Sequence, residues 1–244
     1  MYTHRDALGP VDLAFTDRFG GVSGVPFDSL NLALTGADDE VARAENLRLV
    51  LEDFAPGAAL ADLHQVHGAR VHVVTDEPSA TRPEADGIVT DRPDVVLMVR
   101  AADCVPVLLA DPVAGVIGAA HSGRPGLAAG VVVRTVEAMR ELGAESVTAW
   151  IGPHVCGACY EVPGAMQAEV AALEPASRAT TSWGTPALDI GAGVRAQLHR
   201  AGVEVVDVSR CTRESSDLYS YRRDGEGAGR LAGLVRLRRA GVNP

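Results

Sequence analysis

The sequence predicts a single α/β domain over residues 1–244, in which a mixed β-sheet is flanked by helices. Short apolar runs typical of buried strands alternate loosely with segments of helical periodicity, which is the pattern of this class. Neither a repeat of fixed period nor a linker divides the chain. A chain of 244 residues, 47% of them apolar, can be organised around one core.

The N-terminal part predicts a strand followed by a helix. Residues 11–15 are apolar apart from Asp12, and the chain then enters a glycine-rich turn at 19–24. Residues 39–54 predict a helix with Asp38 or Asp39 as its N-cap. Four apolar residues recur on one face of this helix: Val41, Ala44, Leu47 and Leu51. Residues 70–74 then predict a further strand.

The middle of the chain is its most β-like part. Residues 95–99, 105–109 and 116–120 are continuous apolar runs. The last two are joined by the turn signal Asp111-Pro112. Runs without alternating polar residues are typical of strands buried on both faces, so we expect these strands at the centre of the fold.

The second half continues the alternation of strands and helices. A helix is predicted over residues 127–142, ended by Gly143. The elements expected after it are a strand at 147–151, a strand at 187–190, a helix at 193–201, a strand at 205–208 and a closing strand at Leu231–Leu237.

Charge and hydropathy limit the partners. The net charge of −10 disfavours nucleic acid, because a phosphate backbone would be repelled. The apolar runs are too short to cross a bilayer, and the N-terminus lacks the apolar stretch of a signal peptide. We therefore expect a cytoplasmic monomer or homodimer without a membrane partner. In that reducing compartment the four cysteines would be buried hydrophobes, metal ligands or nucleophiles.

Three residues form a candidate catalytic metal site. His67 closes a short polar segment, Cys104 lies between two predicted buried strands, and His121 follows a third. Rigid strands present such junction residues into clefts. Two histidines and one cysteine leave one position of a zinc-like ion open, which is the pattern of a catalytic site. Such an ion would polarise a substrate oxygen.

Two other interpretations of these residues stay open. His67 and His121 would be ordinary core or surface histidines if Cys104 were only a small packed residue. Alternatively, Cys104 is a nucleophile, with His121 as its base and Asp103 as the group that orients the base. Adjacent strand residues point to opposite faces, which weakens the case for Asp103.

Three further motifs carry weaker signals. Cys156-Gly157-Ala158-Cys159 is a CxxC motif that Cys211 and His154 could complete as a zinc site. Gly191-Ala192-Gly193, with Asp207 after it, has part of a dinucleotide-binding fingerprint, although the unit is single and late in the chain. Arg222-Arg223 follows a tyrosine-rich segment and would suit an anion or a stacked base.

Several motifs, in order and across nearly the whole chain, resemble the YfiH-like family. That family was first described as multicopper polyphenol oxidase or laccase domain protein, and later as purine nucleoside phosphorylase with adenosine deaminase activity. The segments that carry the resemblance are 15–23, 29–32, 45–46, 65–68, 85–90, 102–109, 119–123, 151–153, 159–162, 219–224 and 229–232.

The resemblance implies roles for individual residues. The metal ligands would be His67, Cys104 and His121, with His67 preferred over His64, and the ion would be Zn²⁺ or, in the older description, Cu²⁺. The positions implied to contact substrate are Arg18, Asn31, Asn46, Arg124, Tyr221 and Arg222. Two departures are visible: Arg124-Pro125-Gly126 stands where members commonly have Trp-Arg-Gly, and His154 stands where many have cysteine.

The expected activity is phosphorolysis of adenosine, inosine or methylthioadenosine, with adenosine deamination as a second reaction and with nucleoside and phosphate as partners. One alternative is a cysteine hydrolase acting on peptidoglycan precursors, because some members are described as editing factors. Another is a copper-dependent polyphenol oxidase. Only seven histidines are present, which argues against a multicopper centre.

Overall fold

The computed structural model describes residues 1–75 and 81–239, and strands dominate it. The strands are β1 (Tyr2–Leu8), β2 (Val11–Thr16), β3 (Ala59–Asp62), β4 (Val71–Val73), β5 (Gly87–Thr90), β6 (Val95–Ala101), β7 (Val105–Asp111), β8 (Val116–Ser122), β9 (Thr148–Ile151), β10 (Arg178–Thr180), β11 (Pro186–Leu188), β12 (Glu204–Asp207) and β13 (Leu231–Leu237). The α-helices are α1 (Glu40–Phe54), α2 (Arg124–Ala129), α3 (Val131–Glu141), α4 (Gly164–Leu173), α5 (Ile190–Arg200) and α6 (Tyr221–Asp224).

The predicted α/β class is confirmed, but the strands form two large mixed sheets where one was expected. The five-stranded sheet has the order β1-β2-β13-β6-β3, and the six-stranded sheet has the order β12-β9-β7-β8-β5-β4. The chain leaves the first sheet at the end of β6 and enters the second at the start of β7. Asp103, in this crossing, has a φ of +87°. Cys104 therefore lies where the two sheets meet.

The two sheets pack face to face. All seven residues of β7 are buried, and they alternate between two cores. Leu108 and Ala110 face the first sheet, whereas Val107 and Leu109 face the helices α3 and α5. Helix α1 covers the outer face of the five-stranded sheet through Val50 and Phe54. This four-layer arrangement confirms that the apolar runs are buried on both faces.

The caps explain where most helices begin and end. Asp39 is the N-cap of α1, as predicted, and its side chain accepts the Ala42 N–H at 2.8 Å. The helix expected over 127–142 is instead two helices. Gly130, with a φ of +75°, separates α2 from α3, and α2 begins at Arg124 because Pro125 suits a first turn.

Other differences come from elements with weak apolar patterns. Strand β1 is polar because it is an edge strand, and helix α4 is absent from the expected elements. The strand expected at 187–190 is one arm of the hairpin β10–β11, and α5 begins at Ile190, capped by Asp189. None of the described helices is long and apolar enough to span a bilayer.

Candidate active site

His67, Cys104 and His121 come together at the meeting point of the two sheets. His121 is the penultimate residue of β8, Cys104 directly precedes β7, and His67 lies in the loop after β3. One ligand atom from each residue lies within 4.8 Å of the other two. The two imidazole rings meet edge to face, with their centroids 4.9 Å apart. The sequence grouping is thus a spatial cluster.

Asp86, directly before β5, positions both histidines. Its Oδ1 accepts the His67 N–H at 3.0 Å and lies 2.9 Å from His121 Nδ1. Its Oδ2 accepts the N–H groups of Val66 at 3.2 Å and Gly68 at 2.6 Å. Burial opposes ionisation of Asp86, but these hydrogen bonds hold the pKa of its carboxyl below the usual value. An ionised carboxylate only accepts, so His121 Nδ1 carries a proton and Nε2 is free to face Cys104.

Cys104 and His121 are electrostatically matched. Burial favours the neutral thiol, yet His121 and His67 outweigh it and lower the pKa of Cys104 to about 6. Burial likewise disfavours a charged His121, but Cys104 and Asp86 raise its pKa to about 9. By contrast, burial and the neighbouring Cys211 thiol raise the pKa of Cys156 to about 12. Cys104 therefore has the environment of a thiolate, the form that binds metal or attacks carbon.

The cluster fits a small soft or borderline cation. Two imidazoles, one thiolate and an open side form the donor set of a catalytic zinc-type site. Cys104 and His67 can lie this close to the backbone of residue 123 only because that residue is glycine. A Cβ there would lie 2.9 Å from Cys104 Sγ and 3.0 Å from His67 Cδ2. Asp86 supplies the carboxylate that commonly orients a metal-binding histidine.

The cluster opens into a cavity of about 690 Å³. Arginine and tyrosine side chains dominate the charged and aromatic part of its lining: Arg100, Arg124, Arg222, Arg230, Tyr160 and Tyr221. The Arg222 guanidinium stacks on Tyr160, 4.8 Å from the ring centroid. A cationic and aromatic cavity above a thiolate–imidazole cluster suits an anionic or planar aromatic substrate.

The expected substrate residues separate into two groups. Arg124, Tyr221 and Arg222 line the cavity, whereas Arg18, Asn31 and Asn46 are not among its lining residues. Arg18 bonds the carbonyls of Pro26 and Asp28 and stacks on Tyr219, 4.7 Å from the ring centroid. Its charge is therefore used within a loop.

The two asparagines are buried and act as scaffolding. Asn31 Oδ1 accepts the N–H groups of Ala33 and Arg230, two residues that line the cavity. Asn46 bonds the Asn31 carbonyl and accepts the Val22 N–H. Their amides satisfy backbone groups of the loops that form the rim, which gives both side chains a structural role.

Asp103 does not orient His121, contrary to the interpretation considered from the sequence. Its Oδ1 accepts the Thr212 hydroxyl at 2.6 Å, and its Oδ2 accepts the Arg222 N–H at 2.6 Å. Asp86 takes the orienting role. Asp103 instead fixes Arg222 next to Cys104.

The dinucleotide-like motif has a packing explanation. A Cβ on Gly191 would lie 2.1 Å from His154 Nε2, and a Cβ on Gly193 would lie 2.8 Å from Leu127 Cδ2. Asp207, expected to bind a ribose in such a site, is paired with Arg195. The glycines therefore allow close helix packing.

Sequence reasoning missed four residues of the site as candidates. Tyr160, Arg100 and Arg230 line the cavity, and Asp86 lies behind its histidines. Tyr160 and Asp86 occur in segments that carry the family resemblance, which is the signal that could have identified them. The only signal that could have identified Arg100 is its position near the end of β6, four residues before Cys104.

Comparison with known proteins agrees with this architecture. Residues 12–238 match the family described as multi-copper polyphenol oxidoreductase laccase. The purine nucleoside phosphorylase SCO2081 of Streptomyces coelicolor is 53% identical over 97% of this chain and 100% of its own length. The purine nucleoside phosphorylase YfiH of Escherichia coli is 37% identical over 90% and 91%. The crystal structure of Neisseria meningitidis NMB0706 has a TM-score of 0.87 and 32% identity, covering 98% of this chain and 99% of that one. The chain therefore belongs to the YfiH-like family of multi-copper polyphenol oxidoreductase laccase domains.

Proposed function

We propose that the protein is a metal-dependent purine nucleoside phosphorylase that uses the cavity above His67, Cys104 and His121. The observation that carries the proposal is the presence of Arg124 and Arg222 in the same cavity as this donor set. Relatives spanning most of the chain are named purine nucleoside phosphorylases, which supports the same activity.

The reaction requires phosphate to form a bond to C1′ of the nucleoside while the bond from C1′ to the purine nitrogen breaks. The purine leaves with the bonding electrons and takes up a proton. Arg124 and Arg222 would hold the phosphate oxygens, since guanidinium groups bind such anions bidentately. Arg124 begins α2, where the N-terminal end of the helix adds a small positive potential.

The purine would lie against the aromatic side chains of the cavity. Tyr221 is 53% exposed and the Arg230 guanidinium lies over one face of its ring, 6.0 Å from the centroid, so the other face would stack on a base. Tyr160, held beside Arg222, forms the neighbouring wall. A cation held by His67, Cys104 and His121 would supply Lewis-acid polarisation of a substrate oxygen and organise the polar end of the cavity. Zn²⁺ suits this donor set, and Cu²⁺ is the second candidate.

Deamination of adenosine is proposed as a second activity of the same cavity. The attacking group would then be water, and the exocyclic amine would leave as ammonia after gaining a proton. His64 lines the cavity and is exposed, so it is available to transfer that proton. The cavity thus offers a nucleoside two nucleophiles, phosphate and water.

The test is a steady-state assay with adenosine and phosphate. Ribose 1-phosphate and adenine are expected as products, with inosine as the product when phosphate is omitted. A Cys104→Ala variant is the control. If the wild-type protein forms no product above that control, the proposal fails.

A cysteine hydrolase is a second candidate, because Cys104, His121 and Asp86 are arranged as nucleophile, base and orienting carboxylate. Peptidoglycan precursors would be its substrates. Removal of metal by a strong chelator separates the two functions: phosphorolysis should be lost, whereas a nucleophilic Cys104 should retain hydrolysis. The copper oxidase alternative has less support, since the metal-ligating clusters in the described part of the chain use only His67 and His121 among the histidines.

A further inference from the structure

A second cluster of metal-ligating side chains lies outside the cavity lining. Cys156, Cys159, Cys211 and Glu214 each offer one ligand atom, and these atoms all lie within 4.8 Å of one another. None of these side chains has a part in the proposed reaction. The three cysteines are free thiols.

The backbone holds these cysteines together without help from a cation. The N–H groups of Cys159 and Tyr160 both bond the Cys156 carbonyl at 3.0 Å, which folds the CxxC segment into a tight turn. A short parallel bridge between residues 154 and 211 places Cys211 beside that turn. The Thr212 N–H bonds the His154 carbonyl at 3.0 Å and closes the bridge. The sulfur atoms therefore converge from two loops that are already fixed.

His154, the fourth ligand suggested by the sequence, is not part of this cluster. Its Nδ1 lies 2.9 Å from the Gly152 carbonyl, and its Nε2 edge packs against Gly191. Glu214 completes the set instead, from the exposed side. The spacing between Cys211 and Glu214 matches one helical turn, and the Ser215 N–H bonds the Cys211 carbonyl at 3.1 Å.

From this geometry we propose that Cys156, Cys159, Cys211 and Glu214 form a second, structural site for a zinc-type divalent cation. Tetrahedral zinc with bonds of about 2.3 Å to sulfur needs ligand atoms about 3.8 Å apart, so small side-chain rotations complete the site. Four protein ligands leave no open position, which is the pattern of a structural ion. A disulfide would use only two of the three thiols.

One basic side chain next to the cluster would offset part of the negative charge of the ligand set. The Arg213 side chain is bonded to Cys159 and stacks on Trp183, 4.9 Å from the ring centroid. Three thiolates, one carboxylate and a divalent cation carry a net charge of about −2, which this fixed guanidinium partly offsets.

The position of the cluster gives the cation a structural task. Val155 and Tyr160, on either side of the CxxC segment, line the cavity. Thr212, next to Cys211, donates to Asp103, which in turn fixes Arg222. The ion would fasten together the two loops that carry this wall of the cavity.

The test begins with a Cys104→Ser/His121→Ala variant, which lacks two donors of the first site. We expect this protein, purified without added ions, to hold about one equivalent of zinc. Cobalt(II) should replace the zinc and give intense thiolate-to-cobalt absorption. Adding Cys156→Ser and Cys211→Ser should remove both the metal and the absorption. Absence of cobalt and zinc binding in the starting variant would overturn the proposal, as would a disulfide among its three remaining thiols.

A milder substitution guards against loss of folding. Glu214 is exposed, so Glu214→Gln leaves the thiols and the core intact. In the Cys104→Ser/His121→Ala variant, Glu214→Gln should lower the affinity for cobalt at least tenfold while the thiolate absorption is retained. Glu169→Gln, an exposed change on α4, is the control and should leave the affinity for cobalt unchanged. Equal affinities of the two variants for cobalt would show that Glu214 is not a ligand. Because no arm measures phosphorolysis, the result is independent of the proposed catalytic function.

Discussion

His121 and Asp86 form a buried pair in which Nδ1 lies 2.9 Å from Oδ1, and neither residue exposes more than 4% of its side chain. The same carboxylate holds the backbone of His67 and its two neighbours. One buried charge thus orients the His121 imidazole and fixes the backbone that carries His67. The geometry of the site depends on Asp86 although it does not face the cavity.

Asp86→Asn should therefore damage the site without removing a ligand. The amide nitrogen would face N–H donors whichever way the side chain is turned, because both carboxylate oxygens accept hydrogen bonds. We expect metal affinity and kcat/KM to fall roughly 10- to 100-fold. Competition with a chelating indicator measures the first quantity. The exposed Asp91→Asn serves as control, and equal affinity of the two variants would contradict the role of Asp86.

Gly123→Ala tests how closely the donors must approach. The backbone of Gly123, with a φ of −83°, is compatible with alanine, so the effect comes from the added methyl group. That group would meet Cys104 Sγ at 2.9 Å and His67 Cδ2 at 3.0 Å. Metal content and activity should both fall at least tenfold, and because Gly123 is buried the added methyl group should also lower the free energy of unfolding by about 1–3 kcal/mol.

Gly24→Ala is the matched control for this substitution, because nothing lies within 4 Å of a Cβ at Gly24. Thermal unfolding of both variants separates a local effect from global destabilisation. Normal metal binding in Gly123→Ala would mean that the two donors do not act together.

Replacing the arginines of the cavity should raise the KM for phosphate more than the KM for the nucleoside. Arg222→Ala and Arg124→Ala each remove one charge-assisted contact, worth about 1.5–3 kcal/mol. The KM for phosphate should therefore rise roughly 10- to 100-fold in each, while the KM for adenosine changes less. Arg48→Ala, on the exposed face of α1, removes an arginine paired with Glu45 and Glu52 and should change neither constant. A larger effect on adenosine than on phosphate would assign these side chains to the base.

Elements with a continuous apolar pattern could be predicted from the sequence. Strands β6, β7 and β8 and helix α1 lie where periodicity and capping placed them, because burial on both faces or on one face determines their composition. Strand β1 and the split between α2 and α3 were missed. An edge strand needs no apolar run, and the break at Gly130 depends on one left-handed residue.

The grouping of His67, Cys104 and His121 could be proposed from residue types and from family resemblance. The resemblance also covers Asp86, but it does not show that this carboxylate bonds His121 and the backbone of His67. Its importance arises from the pairing of β5 with β8, which places Gly87 opposite Ala120 and Asp86 beside His121. Register between distant strands is not visible in a single sequence. For the same reason the sequence does not reveal that Asn31 and Asn46, predicted as substrate residues, bond the backbone of rim loops.

Asp111, at the end of β7, provides a prediction on stability. Its Oδ1 accepts the N–H groups of Val113 and Ala114 at 3.0 Å, and its Oδ2 accepts those of Glu145 and Ser146 at 2.8 Å. Burial opposes ionisation, but these four bonds hold the pKa of Asp111 below its usual value. In Asp111→Asn the amide nitrogen would meet N–H donors on either side. We expect a loss of about 2 kcal/mol in the free energy of unfolding at pH 7.

The same change should show a defined dependence on pH. A carboxyl whose pKa is depressed by folding stabilises the protein above the unfolded-state pKa of about 3.9 and loses that effect as the pH falls through the folded-state value. The stability difference between wild type and Asp111→Asn should therefore be constant from neutral pH down to about pH 5 and shrink in more acidic solution. Urea unfolding at a series of pH values measures it, with Asp91→Asn as the exposed control. A difference that stays constant into acid would show that the loss comes from packing and not from the charge of Asp111.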